Sequence, residues 1–222
     1  MIRNLVFDLG NVLIDFNPKR IVSAVFTEKE EQEIIYKEIF GTKGWKQLDR
    51  GVMTFEEHTQ NLISQFPQYA REIQWIMDNW HKDLPNIPGM NKVVKKLKAN
   101  GFSLYILSNA SKRYLKYALS KKDFFTHFSG VTISAELFLL KPQREIYEQF
   151  CQIHNLNPIE CLFIDDKAEN VQGAIDAGWE AYQFSGVQDL IYCLEKSLDI
   201  KFDKKIIPPN KVWDYQFSYN LR

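Results

Sequence analysis

Four short clusters carry the residues that could do chemistry. They are Asp8 with Gly10 in VFDLGNV, Ser108-Asn109 in ILSNA, Lys141-Pro142 in LLKPQ, and Asp165-Asp166 with Asn170 in FIDDKAEN. Carboxylates brought together repel, so one pKa rises or the site recruits a cation. Oxygen-only ligands suit Mg2+, which takes one or two carboxylates together with backbone oxygen and substrate phosphate. A serine hydroxyl, a lysine and free backbone N–H groups supply what a phosphoryl group needs. Taken singly, each cluster also has a structural explanation. Asp-Leu-Gly-Asn favours a turn, Asp165-Asp166 suits a helix start, Ser111 suits a helix cap, and Lys141 could be a loop lysine. The chemistry requires that the four meet.

The elements around them predict that meeting. Leu5-Val6-Phe7 is apolar on every residue and ends at Asp8. Such a run suits a strand covered on both faces, as in a parallel sheet. Similar runs span 102–107 (FSLYIL), 161–164 (CLFI) and 179–184 (WEAYQF). Helical spacing appears between them: Pro88 opens a helix closed by Gly101, 145–153 and 187–194 are amphipathic, and 168–177 ends at Gly178. Strands alternating with helices predict an α/β fold, a doubly wound Rossmann-like parallel sheet. About 12 residues suffice for a parallel crossover, yet the second strand follows the first only after a long helical stretch. Thr27 with Glu30 and Thr54 with Glu57 read as capping boxes there, with stops at Gly41 and Pro67. The expected organisation is therefore a core at 1–15 and 86–200, an inserted all-helical cap domain at 16–85, and a tail at 201–222 whose role the sequence leaves open. The insert leaves from the carboxyl end of the first strand, the edge at which open parallel sheets bind ligands.

Composition narrows the function classes. The 222 residues are 45% hydrophobic and 14% aromatic, enough for a packed core. The 28 basic and 28 acidic residues cancel, against the basic excess of a nucleic-acid binder. No stretch reaches the ~18 apolar residues of a membrane helix, and Asp8 interrupts what would be a secretory signal. Cys151, Cys161 and Cys193 form no CxxC pair, which points to a reducing cytoplasm. The four histidines show no metal-binding spacing. Lysine pairs such as Lys95-Lys96 read as solvated faces, and Trp45, Trp75 and Trp80 read as core of the cap.

The four clusters, in this order and with this insert, resemble the haloacid dehalogenase-like hydrolase superfamily, over residues 4 to about 195. The similarity is greatest to its small-capped bacterial sugar-phosphate phosphatases, of the glucose-1-phosphate type, whose DLGNV motif it shares. The resemblance implies an Asp8 nucleophile that forms an aspartyl-phosphate. It implies Mg2+ held by Asp8, the Gly10 carbonyl and Asp166. Phosphate would be bound by Ser108, the Asn109 backbone N–H and Lys141, with Asp165 orienting Lys141 or a metal-bound water and Asn170 fixing a carboxylate. The substrate would be a small phosphorylated metabolite, the protein a monomer or homodimer. One departure stands out: phosphatases of the family place a general acid where Gly10 stands. Such catalysis is worth about 10²–10⁴ in rate. Either the leaving group needs little protonation, as with an anomeric sugar phosphate, or Asp15, His81 or a metal-bound water supplies the proton. A metal-independent dehalogenase and a non-catalytic binder of phosphorylated ligands are the alternatives. Asp15–Arg20 and Trp45–Gly51 are expected to line the substrate pocket.

Overall fold

The computed structural model describes residues 1–203 except Asp83 and Lys122. The expected tail therefore lies outside the described residues from position 204 onward. Five parallel strands form one sheet in the order β3-β2-β1-β4-β5: β1 Asn4–Phe7, β2 Ser103–Ser108, β3 Gly130–Ile133, β4 Cys161–Asp165 and β5 Glu180–Gln183. β1 is central, with Phe7 level with Ile106 on one side and Ile164 on the other. The chain builds outward from β1 in one direction and then, through β4, in the other. The reversal between β1 and β4 opens the crevice that such sheets use for ligands.

Alternate residues of β1 face opposite layers. Leu5 and Phe7 join one apolar cluster, and Val6 joins another with Leu107, Tyr147, Phe150 and Phe163. Two strand expectations need correction. β5 is half-exposed, because as an edge strand it lacks the cover that an all-apolar reading assumes. β3 is an edge strand half-buried at its start, and its sequence GVTI, with Gly130 and Thr132, gives no continuous apolar run to signal it.

Among the described residues, five α-helices stand between β1 and β2 before the crossover helix: α1 Pro18–Ser23, α2 Lys29–Phe40, α3 Lys43–Arg50, α4 Phe55–Gln65 and α5 Ala70–Asn79, then α6 Met90–Ala99. Thr54 and Glu57 make the expected reciprocal capping box at α4. Thr27 and Glu30 do not: α2 starts at Lys29, with Glu28 at the cap and no side-chain bond. Instead Gln32 Nε2 bonds the carbonyls of Phe26 and Thr27. The two chain segments joining the insert to the sheet run side by side. Asp15 N donates to Pro85 O and Ile87 N to Leu13 O, both at 2.9 Å. The remaining helices are α7 Lys112–Lys121, α8 Ser134–Leu137, α9 Arg144–His154, α10 Ala168–Asp176 and α11 Val187–Leu198.

The C-terminal end of α3 is pinned to α8. The Asp49 carbonyl accepts from the Ser134 hydroxyl, and Arg50 Nη2 reaches Gln143 Oε1 at 3.0 Å. Gly51 then turns away with φ +78°, and a Cβ there would collide with the Ala135 carbonyl oxygen. Only glycine combines that φ with so close an approach.

Candidate active site

Asp8 follows β1, and its N–H donates to the Ile164 carbonyl at 2.8 Å. The side chain is buried and meets a fully buried ammonium. Lys141 Nζ lies 2.8 Å from Asp8 Oδ1, 2.6 Å from Asp165 Oδ2 and 3.0 Å from Leu107 O. Its three protons thus have three partners. Burial raises the Asp8 pKa to about 6, against the pull of Lys141 and a Ser108 hydrogen bond, with Asp165 adding to the rise. Burial alone would lower the lysine's pKa; Asp8 and Asp165 outweigh it and hold it above the ordinary value.

Each partner is itself held. Asn170 Nδ2 donates to both Asp165 oxygens at 3.0 and 3.1 Å, and Lys167 N donates to Oδ1 at 2.8 Å. The Asn109 carboxamide clamps the Lys141 backbone, accepting from its N–H at 2.9 Å and donating to its carbonyl at 3.0 Å. Asp166 is half-buried, and only Asn11 Nδ2, at 3.4 Å, touches its carboxylate among the described side chains. Burial and then Asp165 raise its pKa. Oxygens of Asp8, Asp165 and Asp166 all lie within 4.8 Å of one another.

The residues of all four clusters come to this edge. Asp8, Gly10, Ser108, Asn109, Lys141, Asp166 and Asn170 line one cavity of about 620 Å³, and Asp165 lies beneath it in contact with Lys141. The insert supplies the opposite wall through Phe16, Tyr36, Phe40, Trp45 and Trp80. Trp45 and Trp80 are thus core and cavity wall at once, their rings 4.9 Å apart; the wall was expected of Trp45, within 45–51, and not of Trp80. Asp15 and His81 do not line the cavity: Asp15 pairs with Arg20 at 3.3 Å, and His81 is buried against Trp80 and Tyr117. Of the segment 15–20, Phe16 and Pro18 reach the lining; of 45–51, Trp45, Lys46, Asp49 and Arg50 do.

Three features went unread in the sequence. Asn11, in a left-handed turn with φ 57°, reaches Asp166; the Gly-Asn pair was its only signal. Asp49 has its carboxyl pKa pushed well above the ordinary value, first by burial, with Lys167 opposing and Asp8 adding. Finally, Arg50 Nε, Trp80 Nε1 and Tyr114 Oη all belong to cavity-lining residues, yet are buried without a hydrogen-bond partner among the described residues.

Known proteins resemble this chain over most of its length. A sesquiterpene phosphatase of Aspergillus oryzae is 27% identical, over 86% of this chain and 92% of its own length. A D-ribitol-5-phosphate phosphatase of Bacteroides thetaiotaomicron is 24% identical, over 82% and 92%. A family enzyme from the same bacterium, solved with magnesium and inorganic phosphate, superposes with a TM-score of 0.68 at 22% identity, covering 87% of this chain and 99% of its own. An L-2-haloacid dehalogenase of Xanthobacter autotrophicus reaches 0.64 at 16% identity, over 93% and 86%. The family model for haloacid dehalogenase-like hydrolases matches residues 2–178, and the chain belongs to that family of hydrolases.

Proposed function

We infer that this hydrolase is a Mg2+-dependent phosphatase of a small phosphorylated metabolite, working through an aspartyl-phosphate on Asp8. The observation that carries the reading is the Lys141 ammonium seated between Asp8 and Asp165 under the open cavity. Asp8 Oδ1 is occupied by Lys141, and its second carboxylate oxygen is the one suited to attack phosphorus. Lys141 offsets the negative charge that gathers as a dianionic ester approaches. Ser108 and the Asn109 backbone N–H bind phosphoryl oxygens. Asp165, tied to Lys141, Asn170 and the Lys167 N–H, orients the lysine.

The residues fit a divalent ion. Among the described side chains Asp166 has only one long contact to its carboxylate, it lies within reach of Asp8, and its pKa is raised first by burial and then by the neighbouring Asp165. Asp8, Asp166 and the Gly10 carbonyl would hold Mg2+, as the all-oxygen donor set requires. Bound there, the ion would neutralise the carboxylates and polarise the phosphoryl group.

A sugar phosphate suits the cavity. Trp45, Trp80, Phe16 and Phe40 offer faces for a ring. Arg50, Trp80 and Tyr114 of the lining each carry a buried polar group without a partner among the described residues; an unmade buried hydrogen bond costs about 1–3 kcal/mol, so a hydroxyl-bearing leaving group that reached them would be favoured. The resemblance of DLGNV to the motif expected of sugar-phosphate phosphatases favours the same class. The aromatic wall alone favours a second reading, an apolar leaving group such as a prenyl phosphate. Residues 16–85 then act as a cap that excludes water over a core of 1–15 and 86–200.

Phosphate release from a panel of sugar and prenyl phosphates, with Mg2+ and with EDTA, tests the reading. Asp8→Asn should abolish release, and EDTA should stop the wild type. Normal turnover by Asp8→Asn would refute the mechanism. Activity on 2-haloacids that persists in EDTA would point to dehalogenation, and binding without release to a non-catalytic role.

A further inference from the structure

Ester hydrolysis at Asp8 requires a proton for the departing alkoxide, and position 10, beside the nucleophile, carries no side chain to give one. The carboxylates facing the cavity are few. Asp8 attacks. Asp165 accepts hydrogen bonds from Lys141, Asn170 and the Lys167 backbone on both oxygens. Asp166 faces the carboxylate cluster at the floor. Glu169 is exposed in the first turn of α10. Asp49 remains, and it stands on the cap side of the cavity.

Resting on the phosphatase reading, we propose that Asp49 of the insert is the general acid and base of the reaction, taking the part that Gly10 cannot play. Three contacts fix its position: the Asp49 carbonyl on Ser134, Arg50 on Gln143, and Gly51 against Ala135. The side chain is therefore carried by a segment of the insert held to the core at three points. The charged groups around it are Lys167 and Asp8 across the cavity and Lys46 and Arg50 on its own helix. Burial outweighs Lys167, so the carboxyl holds its proton well above the usual carboxylate range.

The step balances. As an Asp8 oxygen bonds to phosphorus and the ester P–O bond breaks, the Asp49 proton passes to the leaving oxygen and an alcohol departs. The Asp49 carboxylate then takes a proton from water as that water attacks the phosphorus. The aspartyl P–O bond breaks, and inorganic phosphate leaves with Asp8 ionised and Asp49 protonated again. Catalysis then requires the cap to be seated, because the acid arrives with it.

The test compares leaving groups on the full chain with Mg2+. Glycerol phosphate leaves as a basic alkoxide, whereas 4-nitrophenyl phosphate leaves as a stabilised phenolate that needs no proton. In Asp49→Asn, kcat/KM for glycerol phosphate should fall by about 10²–10⁴, and that for the nitrophenyl ester by far less. Gly10→Asp added to Asp49→Asn should recover part of the loss; a Cβ at position 10 meets only Phe16 Cβ, at 3.8 Å. Equal losses for both esters, or no loss, would overturn the proposal. If Asp49→Asn does not fold, the wild-type profile decides: kcat/KM should fall on the alkaline side for glycerol phosphate alone, and parallel limbs would refute the assignment. Asp8→Asn separates the two readings. It should silence both esters, and if it does not, the phosphatase mechanism fails rather than the role of Asp49.

Discussion

Lys141 is the residue on which the charge balance of the site turns. It is fully buried between two carboxylates at 2.8 and 2.6 Å, and a buried ion pair is strongly destabilised when one partner alone is removed. Lys141→Met should therefore lose phosphate release and, without Mg2+ at pH 7.5, cost about 3 kcal/mol of stability. The cost should shrink at pH 5. Asp8 has a raised pKa of about 6 even with Lys141 opposing the rise, so without the lysine it takes up a proton more readily and sheds its charge. Urea midpoints of wild type and variant at the two pH values check this. An equal cost at both would mean that the lost packing of the lysine stem, not the uncompensated charge, dominates.

Among the elements, the α3–α8 junction couples the insert to the catalytic edge. Gly51 has φ +78° and sits against the Ala135 carbonyl. Gly51→Ala adds a Cβ both to a left-handed backbone and to an occupied space, so the junction must open. The expected outcome is a fall in kcat/KM of at least tenfold, with the far-ultraviolet circular dichroism unchanged, because the sheet and the other helices do not depend on that contact. Unchanged kinetics would show that α3 can shift without disturbing the cavity. The two antiparallel links between 13–15 and 85–87 leave the ends of the insert registered even when this junction gives way.

At the scale of the molecule, sheet and insert share one apolar cluster, which runs from Leu5 and Phe7 to Trp45, Phe55, Ile76 and Trp80. Beside it lies His81, whose Nδ1 is buried without a partner among the described residues. Burial first, and then Arg113 and Lys82, lower its pKa to about 4 from an unfolded value near 6.5. The unfolded chain thus binds the proton first as pH falls, so stability is full above about 6.5 and is lost toward pH 4. Asp8, raised to about 6, acts in the opposite sense between 3.8 and 6. Comparison of His81→Gln with wild type isolates the histidine: the variant's urea midpoint should fall less between pH 7 and pH 4.5. Among the described residues, no helix is long and apolar enough to cross a membrane.

The sequence by itself determined the strands that are buried on both faces and the residues at their ends, because an apolar run that stops at an aspartate or serine states its own register. It also placed Thr54 and the capping glycines, whose physics is local. It missed β3 and misjudged β5, since edge strands are specified by what covers them rather than by their own pattern. The sequence brings 45–51 to the pocket as a segment but does not say which side chains turn inward; on a surface helix Asp49 and Arg50 would be ordinary charges. Only the tertiary structure turns Asp49 toward the cavity, buries its carboxyl and leaves three polar groups of the lining residues unpaired among the described residues, because burial and distance are properties of contacts made between segments far apart in the chain.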